Sequence, residues 1–308
     1  MGRASGAGGW RSGRRGGAHG SGARWLALAV IAAALVGAGY GWGRWTKSDS
    51  ARHSHPDGFD RPPTAADSGA RGDLEAPVGS PRASGAPSRG SLAIVIDDLG
   101  RSLEVIDQLR AFGVPLTYAV LPFEPRSAEV AIRLAELGEE VLCHLPMEAH
   151  RGEDPGPGAL DAGMRPRALR ASTRRALDAV PGAAGVNNHM GSALSEDRVA
   201  MEAVLEVVRA RGMFFLDSRT SPQSVGFSLA RDLGMAAGER KVFLDGDRDP
   251  EAIRRELHRL LALADGGAPA IAIGHPYPET LAVLAEEIPR ARSAGYRFVR
   301  VSEAIASE

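Results

Sequence analysis

The sequence has little of three features that would assign it to a particular class of protein. Its 308 residues include one cysteine, Cys143, so no disulfide can form within the chain and the fold must rest on its apolar core. The formal net charge is −1 at pH 7, which excludes the general basic field of a nucleic-acid-binding protein, so no nucleic-acid partner is expected. Aromatic residues make up 5% of the chain, which argues against a function that depends only on aromatic stacking.

The N-terminal region, by contrast, has a strong pattern of charge and hydropathy. Residues 1–24 contain five arginines and no acidic residue, and residues 25–43 contain no charged residue. Such an apolar run is close to the roughly 20 residues that cross a bilayer, and the preceding arginines favour a cytoplasmic N-terminus. We therefore expect a transmembrane helix or signal anchor at residues 25–45, which contacts the inner membrane through residues 25–43 and leaves the remaining chain in the periplasm. The alternative is a signal peptide that is cleaved near the small residues around Gly37 and releases the chain into the periplasm.

Composition divides the rest of the chain into a linker and one domain. Residues 46–90 are rich in Gly, Ser, Pro and charged residues and offer too little apolar surface to fold, so they are predicted to be a disordered linker. From residue 91 to residue 308, short apolar runs alternate with amphipathic stretches. Seven or eight strand–helix units of this kind predict an α/β domain, either a β/α barrel or, as the alternative, a doubly wound open sheet. The predicted strands are residues 92–96, 116–120, 140–144, 185–188, 213–216, 241–244, 270–273 and 297–299.

Two adjacent acids follow the first predicted strand. Asp97 and Asp98 come directly after the apolar run at residues 93–96. Adjacent residues of a strand point to opposite sides, so the two carboxylates cannot share an environment if the strand continues through both. Paired acids at the carboxyl end of a strand are suited to holding a metal and a base together. The alternative role of either acid is to cap the next helix.

Three of the eight histidines also fall where predicted strands end, namely His144, His189 and His275. In a β/α barrel these strand ends form the active site. Two histidines and one carboxylate with an open fourth position are a standard catalytic zinc set, which Asp98, His144 and His189 can supply. The metal would lower the pKa of a bound water to about 7, Asp97 would take the proton as the water attacks a carbonyl, and His275 would protonate the leaving group. The alternative for each histidine is a hydrogen bond to the backbone.

Other polar residues near the predicted strand ends are weaker candidates. Glu148, four residues after His144, is a further metal ligand, an orienter of the ligands or simply an acid at a helix start. Asp217 and Arg219 are expected to form a salt-bridged rim that affects Asp97.

Three further residues follow predicted strands or lie within them. Asn188 is a candidate for supporting the site or contacting substrate. Asp245 belongs to an Asp-Gly-Asp sequence, which is typical of a turn. Cys143 is expected to point away from His144 and to pack under a helix, because neighbouring strand residues face opposite sides.

Taken together, five motifs resemble those of the divergent polysaccharide deacetylases, a bacterial branch of the polysaccharide deacetylase superfamily. They are IDDLG (residues 96–100), HLPME (144–148), NNHMGS (187–192), FLDSRT (215–220) and IGHP (273–276). The resemblance covers about residues 91–308 and implies an irregular β/α barrel of about seven strands. It also implies that Asp97 is the general base, that Asp98 and His144 bind a metal, and that His275 is the general acid. The implied reaction is metal-dependent hydrolysis of an N- or O-acetyl group on a sugar polymer.

The sequence departs from the superfamily pattern at two places. Glu148 stands where a second metal-binding histidine is usual, and residues 187–189 (NNH) replace an Arg-x-Pro-aromatic motif. We infer that His189 supplies the missing ligand from another strand. The expected protein is an exported, zinc-dependent hydrolase that deacetylates a cell-envelope polysaccharide or peptidoglycan-like glycan. The alternatives are a non-catalytic glycan-binding or envelope-organising protein on the same barrel, and a metal phosphoesterase, which would need a basic cluster including Arg101 and Arg219.

Overall fold

A parallel β-sheet organises residues 89–307, which are the residues that this computed structural model describes. Its strands run in the order β6-β5-β4-β3-β2-β1-β8-β7, with β9 beside β1, and each pair is parallel. The strands are β1 (Ser91–Leu99), β2 (Thr117–Val120), β3 (Glu140–Met147), β4 (Gly185–Met190), β5 (Phe214–Asp217), β6 (Ala237–Glu239), β7 (Val242–Phe243), β8 (Ala270–Gly274) and β9 (Arg297–Phe298).

Helices follow most of the strands, as parallel connections require. Asp197 shows how one begins, because its carboxylate accepts hydrogen bonds from the backbone N–H groups of Val199 and Ala200. The same helix is followed by Gly212 at φ 68°, a left-handed conformation that glycine adopts readily. None of the helices between residues 89 and 307 is long and apolar enough to cross a membrane. The helices are α1 (Glu104–Arg110), α2 (Ser127–Glu136), α3 (Pro166–Asp178), α4 (Arg198–Ala210), α5 (Gly226–Asp232), α6 (Pro250–Ala264), α7 (Pro278–Ser293) and α8 (Val301–Ala306), and a 3-10 turn spans Leu194–Glu196.

A separate apolar cluster packs against each face of the sheet. Alternate residues of β1, such as Ile94 and Ile96, join the larger cluster, which includes the buried faces of the surrounding helices. The residues between them, Ala93 and Val95, join a smaller cluster on the other face, which α8 completes with residues such as Ile305. We call the face of this smaller cluster the inner face. A strand with both faces buried reads as a continuous apolar run, which is why β1 could be predicted.

The predicted parallel α/β architecture is confirmed, and each of the eight predicted strands overlaps an observed strand. The sheet is a curled half-barrel, because the described residues show no pairing between β6 and β7, the two ends of the strand order. The short elements β6, α5 and α8 are additional to those that the sequence predicts. The predictions for residues 1–24, 25–45 and 46–88 lie outside the described residues.

Candidate metal centre and active site

The polar groups of the site continue the inner face of the sheet beyond its apolar cluster. In β1, Ala93 and Val95 point to the inner face, and Asp97 keeps the same alternation. The β3–β4 register places His144 opposite Asn187 and Pro146 opposite His189. In three further strands, the same alternation places polar side chains on the inner face at the carboxyl end. These side chains are His144 in β3, Asn187 and His189 in β4, and His275 directly after β8.

Asp98 reaches the same site as Asp97 because the backbone leaves regular strand geometry between them. Asp98 has a positive φ of 60°, and the pairing of β1 with β2 shifts register between Ile96 and Leu99. Aspartate is one of the few non-glycine residues that tolerate this left-handed conformation. Regular strand geometry through both residues would turn the two carboxylates to opposite sides. The irregular backbone at Asp98 instead brings both carboxylates to the same site.

Three donor atoms from three strands surround one point. Asp98 Oδ1 lies 3.3 Å from His144 Nε2 and 3.0 Å from His189 Nδ1, and the two nitrogens are 3.0 Å apart. Asp98 Oδ1 is buried, yet no donor reaches it with hydrogen-bond geometry. An orphaned buried oxygen beside two imidazole nitrogens fits a divalent cation, since these are ligand types that zinc accepts. Across residues 89–307, this is the one group of such side chains close enough to share an ion.

A hydrogen-bonded chain links Asp97 to His144. Asn187 donates from Nδ2 to Asp97 Oδ1 at 2.9 Å, and its Oδ1 lies 2.9 Å from His144 Nδ1. The second Asp97 oxygen lies 3.4 Å from His144 Nε2 and therefore faces the donor cluster. Burial raises the pKa of Asp97, and this effect exceeds the opposing influence of His144, His275 and the Asn187 hydrogen bond.

The electrostatic environment separates the two neighbouring carboxylates. Burial also acts to raise the pKa of Asp98, but the close approach and charge of His144 and His189 outweigh it and hold that pKa well below its ordinary value. Conversely, burial opposes the charging of His144, while Asp97 and Asp98 together raise its pKa. Asp98 is thus the better anionic ligand and Asp97 the more basic carboxylate.

His275 faces the cluster from the other side of β1. Its Nε2 lies 3.7 Å from Asp98 Oδ2, and its Nδ1 lies 2.9 Å from Asp245 Oδ1. The other Asp245 oxygen accepts hydrogen bonds from the His275 backbone N–H at 2.6 Å and from the Thr280 hydroxyl at 2.8 Å. Burial works against protonation of His275, but the bond to Asp245 and its charge raise the pKa of the ring. Asp245 was interpreted as a turn residue, whereas its buried carboxylate orients this histidine.

These groups line a cavity of about 510 Å³ that is open to solvent. Phe243 meets the His275 ring edge-on, with ring centroids 5.6 Å apart, and the Tyr277 ring stacks on it at 5.2 Å. Thr220 is shared with a neighbouring polar cavity of about 590 Å³, and Asp98 is shared with a third of about 320 Å³. The site cavity therefore shares one lining residue with each of two neighbouring cavities.

Glu148 and Asn188 support loops beside the cavity. The Glu148 carboxylate accepts the backbone N–H of Ala162 at 2.8 Å, and it is not part of the donor cluster because four residues of extended chain carry it about 13 Å past His144. Asn188 accepts the backbone N–H of Ser218 at 2.8 Å and thereby joins the ends of β4 and β5.

Asp217 and Arg219 do not form the expected ion pair. Asp217 points to the helix side of β5, and its carboxylate accepts hydrogen bonds from the backbone of Arg219 at 2.8 Å and of Phe227 at 3.0 Å, and from the Ser224 hydroxyl at 2.7 Å. The Arg219 guanidinium pairs with Glu239 at 3.3 Å. Strand alternation explains the difference, since Leu216 occupies the inner face and Asp217 must therefore face the helices.

Arg240 is a further residue that lines the site cavity. It lies between the short strands β6 and β7, and its guanidinium donates to the backbone carbonyls of Ser218 and Arg219. Burial lowers the pKa of Arg240, and the charge of Asp97 opposes this effect. No signal in the sequence marks this arginine, because its place depends on how the two sheet edges approach each other. Cys143 lies as predicted, buried against α3 with Sγ 3.7 Å from the Ala176 carbonyl.

The geometry agrees with comparisons to known proteins. The chain belongs to the divergent polysaccharide deacetylase family, whose profile matches residues 94–305, and this confirms the family predicted from the motifs. It is 35% identical to YibQ of Escherichia coli (strain K12) over 199 residues, which span 65% of this chain and 62% of YibQ. It is 32% identical over 197 residues to a protein of Haemophilus influenzae (strain ATCC 51907 / DSM 11121 / KW20 / Rd), covering 64% of this chain and 70% of that one.

A solved structure supports the fold. The crystal structure of protein ATU2773 from Agrobacterium tumefaciens C58 superposes with a TM-score of 0.65 at 26% sequence identity, over 72% of this chain and 92% of that one. The alignment with the first curated relative, YibQ, spans less than two thirds of that relative's length.

Proposed function

We propose that this protein is a metal-dependent hydrolase that removes acetyl groups from a cell-envelope polysaccharide. The observation that supports this most directly is the convergence of Asp98, His144 and His189 on one point, with Asp97 and His275 beside it. Membership of the divergent polysaccharide deacetylase family supplies the substrate class.

The donor set favours zinc as the metal. Two imidazole nitrogens and one carboxylate oxygen, with an open position toward a solvent-filled cavity, are the protein ligands of many catalytic zinc sites. A zinc ion held there supplies Lewis acidity, which polarises a carbonyl and lowers the pKa of water to about 7. Because the three donors come from β1, β3 and β4, the sheet itself fixes their separation.

Asp97 and His275 have complementary proton-transfer roles in this proposal. Asp97 is buried and more basic than an ordinary aspartate, so it accepts a proton from the attacking water. His275 is oriented through Nδ1 by Asp245, which leaves Nε2 facing the cavity, and its raised pKa favours the protonated ring. It donates that proton to the departing sugar nitrogen or oxygen.

The cavities next to the donor cluster offer room for further sugar units of a polymeric substrate. The site cavity shares the wall residue Thr220 with one neighbour and Asp98 with another. The phosphoesterase alternative receives less support, because Arg101 pairs with Glu124 and Arg219 pairs with Glu239. Export and membrane attachment through residues 25–43 are part of the same proposal, since an envelope glycan lies outside the cytoplasm.

Metal content of the purified full chain tests the centre of the proposal. We expect about one zinc per chain in the wild type, and loss of that metal in His144→Ala and His189→Ala. His258→Ala is a matched control, because His258 is an exposed histidine on α6 that contacts only Glu287 among the acids. Metal-free wild-type protein after dialysis against zinc would contradict the proposal.

Acetate release from N- and O-acetylated envelope glycans tests the reaction itself. We expect the zinc-loaded wild type to release acetate, and Asp97→Asn and His275→Ala to keep the metal but release acetate at least about 100-fold more slowly. A zinc-loaded wild type that binds these glycans without releasing acetate would replace the hydrolase by a glycan-binding protein on the same fold.

A further inference from the structure

Asn187 has a fully buried side-chain amide that contacts both the proposed base, Asp97, and a proposed metal ligand, His144. Its exposed fraction is 0%, and it lies directly opposite His144 in the β3–β4 register. Its two amide ends make separate contacts of 2.9 Å, one to Asp97 Oδ1 and one to His144 Nδ1. In this way one side chain connects the proposed general base to a proposed metal ligand.

The chemistry of these neighbours determines which way the amide points. An ionised Asp97 can only accept hydrogen bonds, so the NH₂ end of Asn187 must face it. The opposite orientation would place two acceptor oxygens 2.9 Å apart in a buried position. The amide oxygen therefore faces His144 Nδ1, and this nitrogen has to carry a proton to make the contact.

A proton on Nδ1 of neutral His144 leaves a lone pair on Nε2. Nε2 is the atom that lies 3.3 Å from Asp98 Oδ1 and 3.0 Å from His189 Nδ1. A metal ligand must offer a lone pair at that atom, and the hydrogen bond on the other ring nitrogen selects the tautomer that does so.

We propose that Asn187 is a positioning residue that sets the tautomer of His144 and the orientation of Asp97 at the same time. With Oδ1 held by the amide, the Asp97 carboxylate turns its other oxygen toward the donor cluster, 3.4 Å from His144 Nε2. The part of this role that concerns base and metal rests on the proposed function, whereas the tautomer of His144 is a property of the metal-free chain.

The first test is long-range ¹H–¹⁵N NMR on the metal-free full chain with labelled histidine, recorded at a pH where the ring is neutral. The His144 signals are assigned by comparison with His144→Gln. We expect the Nδ1–H tautomer in the wild type and in Asn187→Asp, which keeps an acceptor of the same shape, and a shift toward Nε2–H in Asn187→Leu. An Nε2–H tautomer in the wild type, or an unchanged tautomer in folded Asn187→Leu, would overturn the proposal.

The second test is zinc affinity, measured by competition with a chromophoric chelator. Loss of such an outer hydrogen bond typically lowers metal affinity about 10- to 100-fold, and we expect that loss in Asn187→Leu. Asn187→Asp should lose less affinity, because it keeps an acceptor for His144, and a proton shared by the two neighbouring carboxylates replaces the lost donor to Asp97. Asn188→Ser is the matched control: this neighbouring buried amide bonds to Ser218 and Met190, so its loss should lower stability and leave the tautomer of His144 unchanged.

The two proposals fail in different ways. If the wild type binds no zinc, the proposed hydrolase fails, and the tautomer measurement still decides the role of Asn187. If zinc binds and acetate is released, but Asn187→Leu matches the wild type in both tautomer and affinity, only the role of Asn187 is contradicted.

Discussion

Asp97 and Asp98 present their carboxylates to the same nitrogen of His144, with Asp97 Oδ2 3.4 Å and Asp98 Oδ1 3.3 Å from Nε2. Two neighbours in sequence thus act on one ring from two directions. Burial dominates at Asp97 and raises its pKa, whereas the two histidines dominate at Asp98 and lower its pKa. Environments that separate the pKa values of two acids allow them different roles, which in the proposed function are those of a base and a ligand.

The left-handed backbone of Asp98 predicts a difference between two substitutions that both remove the charge. Asp98→Asn and Asp98→Ala should each lose zinc. Asp98→Ala should also lower the free energy of unfolding by about 1 kcal/mol relative to Asp98→Asn, because alanine tolerates a φ of 60° less well than asparagine. Denaturant unfolding of the metal-free variants measures this. Equal stabilities would show that the left-handed conformation at position 98 does not favour asparagine over alanine.

The contact between His275 and Asp245 predicts a shift in the pH profile. A general acid must be protonated, so activity should fall as the pH rises through the pKa of His275. Asp245 raises that pKa, and Asp245→Asn should therefore move the alkaline limb of kcat toward lower pH. Asp247→Asn serves as the control, since Asp247 is exposed and contacts the backbone of Asp249. An alkaline limb that does not move in Asp245→Asn would remove Asp245 from this role.

Asp217 is expected to matter for stability and not for zinc. Its buried carboxylate satisfies three donors in the segment that leads into α5. Asp217→Ala leaves those donors without a partner, and we expect it to lower the free energy of unfolding by about 3 kcal/mol. Asp178→Ala, which removes an exposed partner of Arg211, should change stability by less than about 0.5 kcal/mol. Zinc loss in folded Asp217→Ala would contradict this separation.

The thiol of Cys143 should not react with alkylating reagents in the native protein. Burial raises the pKa of its thiol to about 12, and thiolate is the reactive form. We expect iodoacetamide at pH 8 to leave the native chain unlabelled and to label it once it is unfolded in guanidinium. Because Cys143 is the one cysteine of the sequence, the modified fraction reports directly on unfolding. Rapid labelling under native conditions would show that β3 opens near the metal centre.

The residues that face the inner side of the sheet can be predicted from the sequence, because side chains alternate between the two faces along a strand. His144 follows Leu142 by two residues, and His275 follows Ile273 by two, so each apolar inner position predicts the polar one beyond it. The same rule, applied to Leu216, would have assigned Asp217 to the helix side. In these cases local sequence determines the direction of the side chain.

Two features depended on three-dimensional relationships that the sequence does not show. The positive φ of Asp98 is a backbone choice that breaks alternation at one residue. Arg240 and Asp245 flank β7, a strand of two residues, and their places depend on how the end of the sheet curls. Asp245 follows the strand predicted at residues 241–244, but its Asp-Gly-Asp sequence is typical of a turn and does not show the contact to His275.

The order of the strands separates the candidate metal ligands from the proposed catalytic acid and its partner Asp245. The donors of the metal cluster come from β1, β3 and β4, whereas His275 follows β8, and Asp245 follows β7. In the proposed mechanism, changes in the β7–β8 part of the site would therefore abolish proton delivery and leave the donors of the ion site in place. A relative with this fold could lose the proposed catalytic acid and still bind zinc and sugar chains. Bound zinc in a relative therefore does not by itself show that the relative is an enzyme.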